Sequence, residues 1–223
     1  MFLPGQLVNF FSRSLLPLLL LLAGCSSPPP DFTASGYLAD RGTVRIWRKT
    51  HASQSTHLQT VYTPFTEPVT ETTDYQWQQG KLISVERQTV GAHPESVTLR
   101  FDQRGRLSFM QRQLAQRREA LTADAIALYQ FEAGRMLTIS DDLLRGRVRL
   151  IQGVWTPSGV VRLCEGGKAS PGFDSNAVHY ITQHQQGSDK PLSIAWLEAP
   201  GGTQLLLATP EDLCRQQPQE ESF

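Results

Sequence analysis

A mainly β fold is what this sequence predicts: an antiparallel meander of hairpins with one helix, then a small disulfide-stapled, barrel-like β unit whose strand and helix count suits the OB type. Three observations predict it. Apolar and polar residues alternate with period two in several segments; in the clearest, Val97, Leu99 and Phe101 alternate with Thr98 and Arg100. A strand, a short polar turn, a glycine and a cation recur together. Only one stretch carries a good helix start, at Thr122 and Asp124.

The elements follow in order. Val44 and Ile46 alternate with Arg45, which the alternation places outward. Residues 58–63 extend again, and Pro64 and Pro68 bracket a turn. Three hairpin-like units follow: Tyr75-Gln76-Trp77 to Gly80-Lys81-Leu82, Leu99-Arg100-Phe101 to Gly105-Arg106-Leu107, and Tyr129-Gln130-Phe131 to Gly134-Arg135-Met136. Their spacing is too irregular for a solenoid, so they read as recurrent hairpin chemistry. The helix lies between the second and third, over Ala125 to Leu128, with its start left open as far back as Leu114.

A capped helical turn at Ser140-Asp141-Asp142, ended by Gly146, marks the junction to the second unit. There 148–155 and 160–164 form a hairpin about Pro157-Ser158-Gly159. Residues 178–182 read as a strand, and 193–198 with 204–208 as another hairpin. A last short helix starts at Thr209, with Pro210 in its first turn, and carries Cys214. The expected organisation is a leader over 1–24, a tether over 25–34, the meander over 35–144, the small β unit over 145–216 and a flexible tail over 217–223.

The start of the chain sets its expected location. Arg13 precedes an apolar run over 15–23 that is too short for a membrane span, which needs about 20 residues. The run ends in Leu22-Ala23-Gly24-Cys25, the pattern of a bacterial lipoprotein signal. Cleavage before Cys25 would make it the lipid carrier and the protein's link to the membrane. Ser26 permits sorting to the outer membrane, and Pro28-Pro29-Pro30 would hold the folded part off its surface.

Charge is balanced, with 21 basic and 21 acidic residues, which leaves no basic excess for nucleic acid. Beyond Cys25, the cysteines are Cys164 and Cys214. In an exported protein the pair reads as a disulfide, worth about 4 kcal/mol in the chain-entropy account; two buried thiols are the alternative. Neither cysteine sits in a metal-ligand spacing.

Beside the lipoprotein signal and the hairpins stand Leu150-Ile151-Gln152-Gly153 and the segment from Glu198 to Leu206. On these the chain resembles the YjaH-like family, uncharacterised lipoproteins of gammaproteobacteria. The resemblance implies a two-membrane host and transfers no functional residue.

Catalytic patterns are not found. Gly166-Gly167-Lys168 lacks the earlier glycine and the following hydroxyl of a phosphate loop. His179 and His184, on one strand, would face opposite ways; His51, His57 and His93 read as loop or solvated residues. Asp141 and Asp142 suit a helix first turn better than an acid–base pair. Trp47, Trp77, Trp155 and Trp196 suit a core better than a glycan platform, and Arg117-Arg118 reads as a solvated face. The expectation is an outer-membrane lipoprotein facing the periplasm, without cofactor, acting as a non-catalytic binding or structural module on an envelope protein or glycan. A cell-wall hydrolase and a carrier with an apolar cavity are the rivals.

Overall fold

The computed structural model describes residues 30–187 and 189–223, so Cys25 and the leader lie outside the described residues. The first sheet holds β1 (Phe32–Ala39), β2 (Gly42–His51), β3 (Ser55–Pro64), β4 (Thr70–Gln78), β5 (Lys81–Val90), β6 (Glu95–Phe101), β7 (Leu107–Leu114) and β8 (Arg118–Glu119), each antiparallel to the next. This is the expected meander, although β1 begins at Phe32, inside the stretch read as tether.

Turn chemistry explains the order. Gln79 and Gly80 have φ of 50° and 74°, the left-handed pair that a two-residue hairpin needs to match strand twist. In the β6–β7 turn Asp102 accepts from the Arg104 and Arg106 N–H groups at 2.8 and 2.9 Å.

Helix α1 (Ala123–Arg145) is far longer than the sequence suggested. Thr122 caps it as expected, accepting from the Ala125 N–H at 3.2 Å. Ile126, Tyr129, Ala133, Met136, Leu137 and Leu143 recur every three or four residues and seat the helix on one face of the first sheet. Two expectations are corrected here. The third hairpin unit, 129–136, is helix, because its apolar residues keep the helical period through Gly134. The turn at 140–146 is the end of the same helix, where the Gly146 N–H bonds the Asp142 carbonyl at 2.8 Å.

The second sheet comprises β9 (Arg149–Trp155), β10 (Val161–Leu163), β11 (Lys168–Ala169), β12 (Ser193–Ala199) and β13 (Gly202–Thr209), in the order β11-β10-β9-β12-β13. It is open at β11 and β13, so the barrel-like closure expected for this unit does not form. One physical reason is α2 (Ser175–Gln186), which replaces the strand expected at 178–182. Asp174 accepts from the Ala177 N–H at 2.8 Å and starts it. Buried Ile181 then packs the helix over the outer face of the sheet, with Ile194, Trp196 and Phe173.

Helix α3 (Leu213–Gln216) is capped by Asp212, whereas Thr209 was expected to cap it. The Thr209 hydroxyl instead accepts from the Glu211 N–H at 3.2 Å. The last residues, read as a loose tail, form a short 3-10 turn at Glu220–Ser222 and place the Phe223 ring 5.3 Å from that of Phe32.

The strands of the first sheet explain the layering. On β2, Val44 and Ile46 face α1, while Trp47 on the other phase packs with Leu150, Ala195, Leu197 and Leu206 of the second sheet. The order across the molecule is therefore α1, first sheet, second sheet, α2. Trp47, Trp77 and Trp196 are core residues, none more than 5% exposed.

Gly134 tests the α1 correction. Nothing lies within 4 Å of an added Cβ, and its φ is not left-handed. We predict that Gly134→Ala raises stability by about 0.5–1 kcal/mol in equilibrium urea unfolding, as in an exposed helix interior. A hairpin turn at this position would make the same change destabilising.

Candidate functional site

The most unusual group in the described structure is Arg45. The alternation of β2 places its side chain on the face away from α1, and the second sheet covers that face. Its exposure is 0%, and it stands between the sheets rather than in solvent as expected. Burying a guanidinium costs several kcal/mol unless its charge and donors are met.

Amides meet them. Arg45 Nη1 donates to Gln152 Oε1 on β9 at 2.8 Å, and Nη2 to Gln216 Oε1 on α3 at 2.7 Å. The guanidinium carbon lies 5.7 Å from the Trp47 ring centre. Each amide passes the polarity on. Gln216 Nε2 donates to Glu211 Oε2 at 3.1 Å. Gln152 Nε2 donates to Gln217 Oε1 at 2.9 Å, and Gln217 Nε2 to Glu165 Oε1 at 3.0 Å. The cation is thus linked to two surface carboxylates through one amide and through two. Nε of Arg45 has no partner. Burial pushes the guanidinium down to about 10, partly offset by Glu211, and it stays charged near neutrality.

The expected disulfide lies beside this network, with Cys164 and Cys214 joined at a Cα separation of 5.1 Å. Cys164 follows β10, and Cys214 sits two residues before Gln216. The bond ties α3 to the second sheet and holds Gln216 and Gln217 where Arg45 and Gln152 need them. Asp212 supports the same geometry, accepting from the Cys214 and Arg215 N–H groups at 3.0 and 3.3 Å.

The sequence-derived candidates do not converge. Asp141 pairs with Arg48 at 2.5 Å, and Asp142 pairs with Arg145. Both lie in the last turns of α1, not its first. His179 and His184 are exposed on α2, not on opposite faces of a strand; the His184 ring is tilted against that of Tyr180, with centres 4.0 Å apart. Arg117 is a solvated residue paired with Glu119.

The sequence reading missed one histidine–carboxylate pair. His57 Nε2 lies 2.9 Å from Asp74 Oδ1, which also accepts from Gln59 Nε2 at 3.0 Å. Register pairs Gln59 with Asp74 across β3 and β4, and the period-two spacing puts His57 on the same face. Such a pair can orient a base. Here the Phe223 ring covers the imidazole at 4.4 Å, and no hydroxyl or thiol of the described residues hydrogen-bonds it.

The role assigned to the disulfide predicts a coupling. Replacing both cysteines by serine should cost about 2–5 kcal/mol. Gln216→Ala should be costly in the oxidised protein and cheaper once the cysteines are gone, by about 1 kcal/mol in a double-mutant cycle from urea unfolding. Additive losses would separate the bond from the arginine.

The comparisons with known proteins agree on one family. The family described as "Protein of unknown function (DUF1481)" matches residues 34–219. The "Uncharacterized protein YjaH" of Escherichia coli (strain K12) is 43% identical over 223 residues, which cover 98% of this chain and 96% of that protein. No solved structure matches. The matched stretch contains the second sheet, all but the first two residues of the first, the arginine network and the disulfide, and the chain belongs to the DUF1481 family, that of the YjaH-like proteins.

Proposed function

We propose that this protein is a lipid-anchored lipoprotein of a two-membrane, gammaproteobacterial envelope, held at the outer membrane and facing the periplasm. It acts there as a non-catalytic binding or structural module, with an envelope protein or glycan as its partner. The observation that carries the compartment is the Cys164–Cys214 bond. A disulfide that positions core hydrogen-bonding groups needs an oxidising compartment to persist. The anchor rests on Leu22-Ala23-Gly24-Cys25. A thioether-linked diacylglycerol on Cys25, with a third chain on its amine, would hold the protein stably, since two or more chains suffice.

The non-catalytic part rests on how the polar groups are used. Asp141 and Asp142 are held by arginines, and Asp74 and His57 are capped by Gln59 and Phe223. Glu95 sits between Arg87 and Arg112, at 3.0 and 2.6 Å, in a ladder that runs from Glu71 to Glu119 across five strands. Among the described residues these acids are each engaged by a partner, which weighs against the hydrolase reading. A carrier reading meets a different obstacle, since α1 packs on the apolar face where cargo would lie.

The anchor is testable in cells fed an alkyne fatty acid. The intact protein should take up label and sediment with outer membranes, and Cys25→Ala should do neither. Label retained by the variant would end the lipoprotein reading.

A further inference from the structure

The turn after β10 holds an arrangement that the proposed function does not use. Arg162 and Lys168 are direct partners across the β10–β11 ladder, and both are exposed. Like charges set opposite each other on antiparallel strands are destabilising. Neither side chain has a hydrogen bond, ion pair or ring contact. Elsewhere Arg48, Arg100, Arg112 and Arg149 each reach a carboxylate. The acids near this pair are held by other groups: Glu165 by Gln217, and Asp212 by two backbone N–H groups.

The two cations border an open groove of about 550 Å³. Val154, Leu163 and the disulfide give it an apolar lining, and Asp212 stands among the residues that line it. Gly166 and Gly167, with φ of 93° and 82°, line it without side chains, and nothing lies within 4 Å of a Cβ built on either. A ligand can therefore approach the backbone closely. The volume falls in the range of small-molecule sites and exceeds what a bare ion would fill.

We propose that this groove binds the phosphate monoester of a small hydroxylated molecule, such as a sugar phosphate. Two unpaired cations match the charge of about −1.5 to −2 that a phosphate monoester carries near neutrality. Arg162 offers a planar fork and Lys168 a mobile point charge, the two common ways of holding phosphate oxygens. Asp212 Oδ1 takes both backbone hydrogen bonds, which leaves Oδ2 to accept from a ligand hydroxyl. The ligand body would rest on Val154, Leu163 and the disulfide. The site goes beyond the envelope role proposed above and is measured independently of the anchor.

Calorimetric titration of the full-length oxidised protein with glucose 6-phosphate tests it. The expected result is saturable one-to-one binding, weakened about tenfold or more by Arg162→Gln and by Lys168→Gln, each worth the charge-assisted bonds of one side chain. Arg104→Gln, an exposed cation in another turn, should bind like the wild type. Both groove variants relieve a like-charge contact, so their melting temperatures should be no lower than wild type, which separates lost binding from lost folding. Inorganic phosphate binding as tightly as the sugar phosphate would overturn the ligand class. Binding to phosphatidic acid vesicles but not to glucose 6-phosphate would move the phosphate to a lipid headgroup and overturn the small-molecule assignment. Absence of binding, or binding unchanged in both groove variants, would overturn the site.

Discussion

A guanidinium enclosed between two sheets needs partners where it sits, and Arg45 draws them from parts of the chain far apart in sequence. Gln152 comes from the second sheet and Gln216 from the last helix. Neither partner is charged, so the Coulomb term that usually offsets burial is absent at contact distance. It is restored in part at one remove, because each amide turns its own donor toward a carboxylate or toward a second amide that reaches one. The β2 face, the β9 face and α3 have to be in place together for this to hold.

Other features follow from that requirement. The sheets must approach closely around the arginine. Gly36 permits this, since a Cβ there would lie 3.3 Å from Leu206 Cδ2 and 2.6 Å from the Val44 carbonyl oxygen. Helix α3 is four residues long, too short to hold its place by propensity. Asp212 and the disulfide supply what its length cannot. The end of the chain closes the same edge, where Lys49 Nζ donates to the Glu220 carbonyl at 2.9 Å and Phe223 lies on His57.

Much of the first sheet was legible in the sequence, because its information is local: period-two alternation and turns such as Gln79-Gly80 act within a few residues. The disulfide was legible for another reason: with Cys25 read as the lipid carrier, Cys164 and Cys214 have one possible pairing. The two helices were harder. Residues 129–136 repeat the local vocabulary of the hairpins, and only the spacing of Ile126, Tyr129, Ala133 and Met136 reveals the helix. Residues 178–182 are rich in β-branched types, and the Asp174 cap overrides that propensity. Arg45 was misread because alternation tells which face a residue takes and not what covers that face. The usable signal was Trp47, two residues on and on the same face, since a tryptophan is a poor candidate for bare solvent. The groove at Arg162 and Lys168 depends on which cations lack acids in space, which spacing in sequence does not encode.

The central claim is that a buried cation met by neutral amides couples the two sheets, and Gln152→Leu puts it to the test most directly. Removing the amide leaves the charge buried with one neutral partner, and the loss should be about 3–5 kcal/mol in urea unfolding, with both sheets lost in one transition. Adding Arg45→Met to the same chain should recover most of that loss, because the charge that needed the amide is gone. A loss below about 1 kcal/mol for Gln152→Leu, in the range of an ordinary hydrogen bond, or a double variant no more stable than the single one, would contradict the account.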